Sequence, residues 1–268
     1  MSKSLIAVDV GNSFLHFGRY SIDDRDEFGF PRLLQWSKDH SPLVIKSETP
    51  NYTMLRQLAA APEGWFVCSV NRDRQTNLMS VVRKLRPNEP YHVLTRYDFQ
   101  MRVDVDEPEH VGVDRLAAAL AAYQMRNQAK SVIVIDAGTA ITVDRVDEPG
   151  VFRGGAILPG PFLFSDALHR HTYALPLVPA PETPPSPVGK NTKAAISSGV
   201  FWGTVGAIRE LVSRMRAEMN EPPEIFMTGG AAQDSIADLI GARQVPDLVL
   251  RGIALAGVPL ASTHSNNA

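Results

Sequence analysis

Three short stretches of the chain combine a carboxylate with glycine in ways that suit phosphate chemistry. Asp9-Val10-Gly11-Asn12-Ser13 closes one apolar run, Leu5 to Val10, and Asp136-Ala137-Gly138-Thr139 closes a second, Val132 to Ala137. Glycine lets backbone N–H groups approach a ligand closely, and Asn and Ser side chains add hydrogen bonds of their own. A carboxylate at that point can order water around Mg²⁺ or set the position of a phosphate acceptor. Gly-Asn-Ser is equally good composition for a plain β-turn. The recurrence favours the phosphate-facing reading, because a carboxylate ending a buried strand is costly unless something polar or cationic meets it. The third stretch is Gly112-Val113-Asp114-Arg115, directly before an alanine-rich segment. Asp114 suits the N-cap of the helix that follows. It equally suits a general base that takes a proton from a substrate hydroxyl, as phosphoryl transfer to an alcohol requires. Arg115 could clamp a carboxylate or phosphate with its planar fork.

Other groupings carry less. Thr228-Gly229-Gly230 and the run from Gly154-Gly155 to Pro159-Gly160 suit either a nucleotide lying on bare backbone or ordinary glycine turns. Gly189-Lys190-Asn191-Thr192 lacks the spaced first glycine of a P-loop and no apolar strand leads into it. His169-Arg170-His171 has no Cys or Glu partner at helical spacing, so it reads as a surface pair rather than a metal site. A Gly-x-Ser-x-Gly elbow is absent, which removes support for a hydrolase triad.

The elements that would position these residues follow from periodicity. Continuous β-branched runs at 4–10 and 132–137 read as strands buried on both faces. Residues 13–20 alternate as the return strand of a hairpin, and the charged insert 23–27 reads as a turn or exposed loop. Helices are expected at 53–60, 73–86, 115–127, 191–200, 203–219 and 232–241, with strands at 64–70, 91–94, 151–157 and 224–227. Pro176 to Pro187 holds six prolines and reads as a stiff surface loop. The chain is expected to close with Leu248-Val249-Leu250-Arg251-Gly252 and a short tail. Strands alternating with helices indicate α/β lobes, and the repeated Asp-x-Gly pattern indicates two related ones, 1–120 and 121–268.

Composition bounds the function. With 21% charged and 44% hydrophobic residues, the chain of 268 residues is an ordinary globular one with enough length for a sizeable core. A net charge of −2 argues against nucleic acid as the main partner. The single cysteine, Cys68, excludes an intramolecular disulfide, fits a reducing cytoplasm and lies in an apolar strand where burial is the natural state. No apolar stretch approaches membrane-spanning length and the first residues lack signal-peptide anatomy.

Taken in order, the stretches 9–13, 112–115, 136–140, 154–160, 189–192 and 228–230, with the closing Pro246 to Gly252, resemble type III pantothenate kinases over nearly the whole chain. The resemblance implies two ribonuclease-H-like lobes of the actin-like, acetate and sugar kinase superfamily around an ATP cleft. It implies ATP-dependent phosphorylation of pantothenate, the first step of coenzyme A synthesis, by a cytoplasmic homodimer using Mg²⁺ and K⁺ or NH₄⁺. Carried onto this chain, Asp9, Val10, Gly11, Asn12, Ser13, Phe14, Leu15 and His16 match the first phosphate loop, and Thr139 an ATP contact. Asp114 matches the proton acceptor, Gly112, Val113, Arg115 and Thr192 the pantothenate contacts, and Asp136 the monovalent-cation ligand. Two departures stand out: Ser13 where the family usually has Thr, and Val105 where it usually has a Tyr lining the substrate site. The alternatives are a kinase of the same fold with another small acceptor, or a non-catalytic transcriptional accessory protein of the family.

Overall fold

The computed structural model of the chain describes residues 3–39, 62–127, 130–231 and 234–264. They fall into two compact units, the first drawn from Met1–Met101, Glu107–Met125 and Leu248–Ala268, the second from Arg102–Asp106 and Arg126–Asp247. The helix expected at 53–60 lies outside the described residues.

In the first unit, β1 (Ser4–Val10) pairs antiparallel with β2 (Leu15–Arg25), which pairs antiparallel with β3 (Pro31–Asp39). On its other side β1 runs parallel to β4 (Trp65–Ser69). Helix α1 (Arg72–Leu85) then leads to β5 (Tyr91–Val93), parallel to β4, so the sheet order is β3-β2-β1-β4-β5. Alternation sorts the side chains between the two faces. Ile6, Val8, Val10, Phe17, Trp65 and Val67 pack against Leu78 and Val82 of α1. The opposite face carries helix α2 (Val113–Met125) and the C-terminal helix Leu248–His264. There five buried alanines of α2 allow close approach: a Cβ at Gly252 would stand 1.9 Å from the Ala117 carbonyl oxygen. Gly257 of the same C-terminal helix lies against the ring of Phe66 on β4.

The second unit repeats the plan. It contains β6 (Arg102–Val103), β7 (Val132–Ala137), β8 (Ala140–Val146) and β9 (Val151–Pro159). Helices α3 (Pro161–Arg170) and α4 (Thr192–Ala217), strand β10 (Glu224–Thr228), helix α5 (Asp234–Ile240) and strand β11 (Arg243–Gln244) complete it. Its sheet order, β11-β10-β7-β8-β9-β6, is the first sheet's order with β6 added outside β9. Ile133, Ile135, Ile141, Val143 and Met227 meet Phe201, Val205, Ile208 and Val212 of α4 in its core. The C-terminal helix, α6 (Leu248–His264), then returns the chain to the first unit.

Four expectations need correction. The insert at 23–27 is no free loop, because β2 continues through Arg25, and Asp26 closes the turn by accepting from the Phe28 and Phe30 amides at 3.0 Å each. The break expected between 200 and 203 does not exist: α4 is one helix, and Gly203 serves as a seat for the Phe164 ring of α3. The chain from Leu248 is a helix of 17 residues that continues through Gly252 where a tail was expected, held by the small-residue packing on α2. Helix α6 therefore packs in the first unit, whereas a division at 120/121 would assign it to the second. Among the described residues no helix is long and apolar enough to cross a membrane.

Candidate active site

Asp9 stands next to the end of β1, between His16 of β2 and Cys68 of β4 in the sheet register. Its carboxylate Oδ2 lies 3.2 Å from His16 Nδ1. The turn beyond it is closed by the Gly11 amide, which donates to the Phe14 carbonyl at 3.0 Å. That leaves Asn12 and Phe14 exposed and Ser13 half-buried, while Val10 and Leu15 anchor the two strand ends in the core. The N-terminus of α1 supports the turn from the side. Asn71 caps the helix by accepting from the Arg74 amide at 3.1 Å, and its side-chain amide donates to Asn12 at 3.4 Å. Arg74 Nη1 donates to the Gly11 carbonyl at 3.3 Å.

Asp114 belongs to the same unit. Helix α2 begins at Val113, so Asp114 lies inside the first turn and is not the N-cap that its residue type suggested. Its Oδ1 accepts from the Arg115 amide at 2.8 Å. A Cβ at residue 112 would fall 2.5 Å from that same oxygen, so the carboxylate occupies space that only Gly112 leaves open. Arg115 is half-buried beside it. One buried group reports on how these acids gather. Burial pushes the Cys68 thiol well above its ordinary range, and the charges of Asp9, Asp114 and Asp98 push it further the same way. The turn at Asp9 and the base candidate Asp114 thus act on one side chain of β4.

The second unit has its own glycine-lined corner. Asp136 stands next to the end of β7, opposite Thr228 of β10 in the register. The Ala231 amide donates to the Ala137 carbonyl at 2.7 Å, and the Gly160 amide to the Thr139 carbonyl at 3.0 Å. Gly229 has φ +97°, and a Cβ there would lie 2.5 Å from Asp136 Oδ1. A Cβ at Gly160 would lie 2.3 Å from the Gly138 carbonyl oxygen. The glycines of Thr228-Gly229-Gly230 and Pro159-Gly160 therefore close backbone onto backbone around the Asp136–Thr139 turn. Val105 lies over Gly154, whose ideal Cβ would be 3.2 Å from Val105 Cγ1.

Thr192 is the exposed first residue of α4, preceded by Asn191, which caps the helix by accepting from the Ala194 amide at 2.9 Å. Gly189-Lys190-Asn191-Thr192 is thus a helix cap and not a P-loop. The proline segment before it has no regular structure but is firmly tied down. The Ser165 hydroxyl donates to the Val178 carbonyl at 2.6 Å and accepts from its amide at 3.1 Å. The Ser198 hydroxyl and the Trp202 indole donate to the carbonyls of Pro187 and Pro185 at 2.9 and 3.0 Å. His169 bonds the Leu175 carbonyl at 2.8 Å from the exposed end of α3, and no metal-holding group of three His, Cys, Asp or Glu occurs among the described residues.

Asp9 to His16, Gly112, Val113, Asp114 and Arg115 thus lie in the first unit, and Asp136, Thr139 and Thr192 in the second. Sequence reasoning passed over Arg74 and the link from Cys68 to Asp114. An isolated arginine on an amphipathic helix has no motif, and only the observation that α1 starts beside the Asp9 turn gives it meaning.

Comparison with known proteins places this geometry in a family. A family model described as type III pantothenate kinase matches residues 5–214. A type III pantothenate kinase of Legionella pneumophila strain Paris is 35% identical over 266 residues, covering 95% of this chain and 98% of that one. One from Dehalococcoides mccartyi is 30% identical over 268 residues, covering 95% and 97%. Among solved structures, one titled as a Baf family transcriptional activator from Campylobacter jejuni superposes with a TM-score of 0.56 at 19% identity, covering 99% of this chain and all of that one. The Lmo2764 protein of Listeria monocytogenes gives 0.50 at 13% identity, covering 96% and 99%; both likenesses concern the fold alone. With matched sequence across both units and the repeated sheet of the actin-like ATPases in each, the chain belongs to the type III pantothenate kinase family.

Proposed function

We propose that this protein transfers the γ-phosphoryl group of ATP to the primary hydroxyl of pantothenate, giving 4'-phosphopantothenate and ADP in the first step of coenzyme A synthesis. The observation that carries the reading is the placement of Asp114. Gly112 leaves room for its carboxylate, the Arg115 amide orients it, and it shares the Cys68 environment with the Asp9 turn. Asp114 accepts the hydroxyl proton as that oxygen forms its bond to the γ-phosphorus, and the bond from phosphorus to the β,γ-bridging oxygen breaks to release ADP. Amides and side chains of residues 9–16 hold the ATP phosphates, with Thr139 as a further contact. Arg115 and the Gly112-Val113 backbone fix pantothenate, with Thr192 as a second contact.

Asp9 fits Mg²⁺, which retains most of its water and needs only one or two protein carboxylates beside the phosphates. When bound, Mg²⁺ supplies charge neutralisation on the transferred group. Asp136 is the ligand assigned to a monovalent cation, K⁺ or NH₄⁺. Gly229 leaves open the space beside its Oδ1 that a side chain would fill, and a carboxylate oxygen is a hard donor suited to such an ion. The protein acts as a homodimer in the cytoplasm.

The test is a coupled ADP-release assay with pantothenate, glycerol, acetate and hexoses as acceptors, each with K⁺ or Na⁺. Pantothenate-dependent turnover that rises with K⁺ is the expected result. Turnover with a different acceptor, or none with any, would overturn the assignment.

A further inference from the structure

Arg74 is a half-buried cation that has no counter-ion among the described residues. Among the described residues its one hydrogen bond outside its own helix runs from Nη1 to the Gly11 carbonyl at 3.3 Å, and it makes no ion pair. Of the other half-buried arginines, Arg86 pairs with Glu89, Arg145 with Asp147 and Arg251 with Asp26, while Arg19 donates twice to the Ser4 hydroxyl at 3.0 Å. A guanidinium taken partly out of water without a carboxylate is an unfavourable arrangement unless an anion completes it. Burial accordingly lowers the affinity of Arg74 for its proton.

The location says which anion fits. Arg74 stands in the first turn of α1, a helix of 14 residues whose positive end lies beside the turn following Asp9. Its one anchoring bond is to the middle of that turn, and Asn71 of the same helix end bonds Asn12 beside it. A guanidinium has five N–H donors in a planar fork, and the bond to Gly11 uses one of them. The remaining donors are set beside a turn that already carries the Asp9 carboxylate. A polyphosphate seated there brings several negative charges, and a cation on the first unit offsets them.

We propose that Arg74 is a phosphate-binding residue of the ATP site, its guanidinium contacting the terminal phosphates of a nucleotide seated on the Asp9–Ser13 turn. This rests on the reading of that turn as the ATP phosphate loop and is independent of the acceptor. The competing role is purely structural, with Arg74 tying α1 to the Gly11 carbonyl.

Titration calorimetry without pantothenate separates the two. The probes are Mg²⁺ with the β,γ-imido analogue of ATP, Mg²⁺ with ADP, and adenosine. Arg74→Gln should weaken the triphosphate analogue about tenfold, weaken ADP less, and leave adenosine unchanged. Arg74→Lys, which keeps the charge, should retain most of the affinity. Raising the salt should weaken triphosphate binding by the wild type more steeply than by the glutamine variant. Arg74→Met, which keeps the unbranched packing, serves if the glutamine variant does not fold. Equal losses for all three probes, or triphosphate affinity within twofold of the wild type, would overturn the proposal. A wild-type protein that binds the nucleotides but transfers nothing to pantothenate overturns the acceptor alone; one that binds no nucleotide overturns both readings.

Discussion

The Cys68 thiol donates to the Val113 carbonyl across 3.9 Å, joining the C-terminal part of β4 to the residue directly before Asp114. This thiol is fully buried, and its ionisation is opposed by burial first and then by three carboxylates. It therefore stays protonated at neutral pH, and iodoacetamide should label it only after unfolding. The raised native pKa also sets a direction for stability. Below about pH 9, the ordinary value for the thiol, both states hold the proton and the contribution is intact. Above it the unfolded chain releases a proton that the native state keeps, so stability falls, by at most about 1.4 kcal/mol per pH unit. Urea unfolding at pH 8, 9 and 10 should show a steeper loss for the wild type than for Cys68→Ala. Equal slopes would contradict the assignment of the loss to this thiol.

Asp114→Asn preserves an oxygen able to accept from the Arg115 amide, so the local geometry should survive. What it removes is the proton acceptor. Turnover should fall by about 10²–10⁴-fold with nucleotide affinity unchanged. Near-normal kcat in a steady-state assay would remove Asp114 from the base role.

Two glycine substitutions should separate catalysis from folding. At Gly112 an alanine Cβ would meet the movable Asp114 carboxylate, which can swing away at little cost to stability. Gly112→Ala should therefore cut kcat while thermal unfolding barely shifts. At Gly252 the obstacle is the backbone of Ala117, which cannot yield without parting α2 from α6. Gly252→Ala should destabilise the fold by about 1–3 kcal/mol or more, measured by denaturant titration. The reverse pattern would contradict both packing arguments.

The proline segment makes a further case. Trp202→Phe deletes the indole donor to the Pro185 carbonyl while keeping an aromatic ring on α4. A loss of about 1 kcal/mol is expected. Because the segment leads into the cap of α4 at Asn191, proteolysis between 176 and 190 should accelerate and the KM for pantothenate should rise with kcat nearly unchanged. A variant with wild-type cleavage and KM would show that the indole bond does not position Thr192.

Legibility in the sequence followed the kind of force involved. β1 and β7 were readable because each is a continuous run buried on both faces, and the shared Asp-x-Gly ending announced the repeated sheet order. Long-range packing left weaker traces. Gly199 and Gly203 look like a helix break by propensity, but the contacts of α4 with the second sheet hold them helical, and Phe164 needs the bare face at Gly203. Helix α6 reads poorly because its glycines and Pro259 oppose a helix locally, while Ala117 and Phe66 require exactly those small residues at the contact. In the site, turn and base candidates carried motifs; the place of Arg74 beside the Asp9 turn emerges only once α1 is folded against Gly11.

The return of α6 to the first unit has a consequence for biosynthesis. Apart from Arg102–Asp106, the second unit is one segment, Arg126–Asp247, and can assemble while the chain is still being translated. The first unit, although it contains β1, lacks the helix that packs on β1 and β4 until residues 248–264 have been synthesised. A ribosome that stalls or terminates before residue 248 therefore releases a chain whose first sheet has an apolar face that α2 alone covers only in part, the kind of surface that chaperones and proteases recognise.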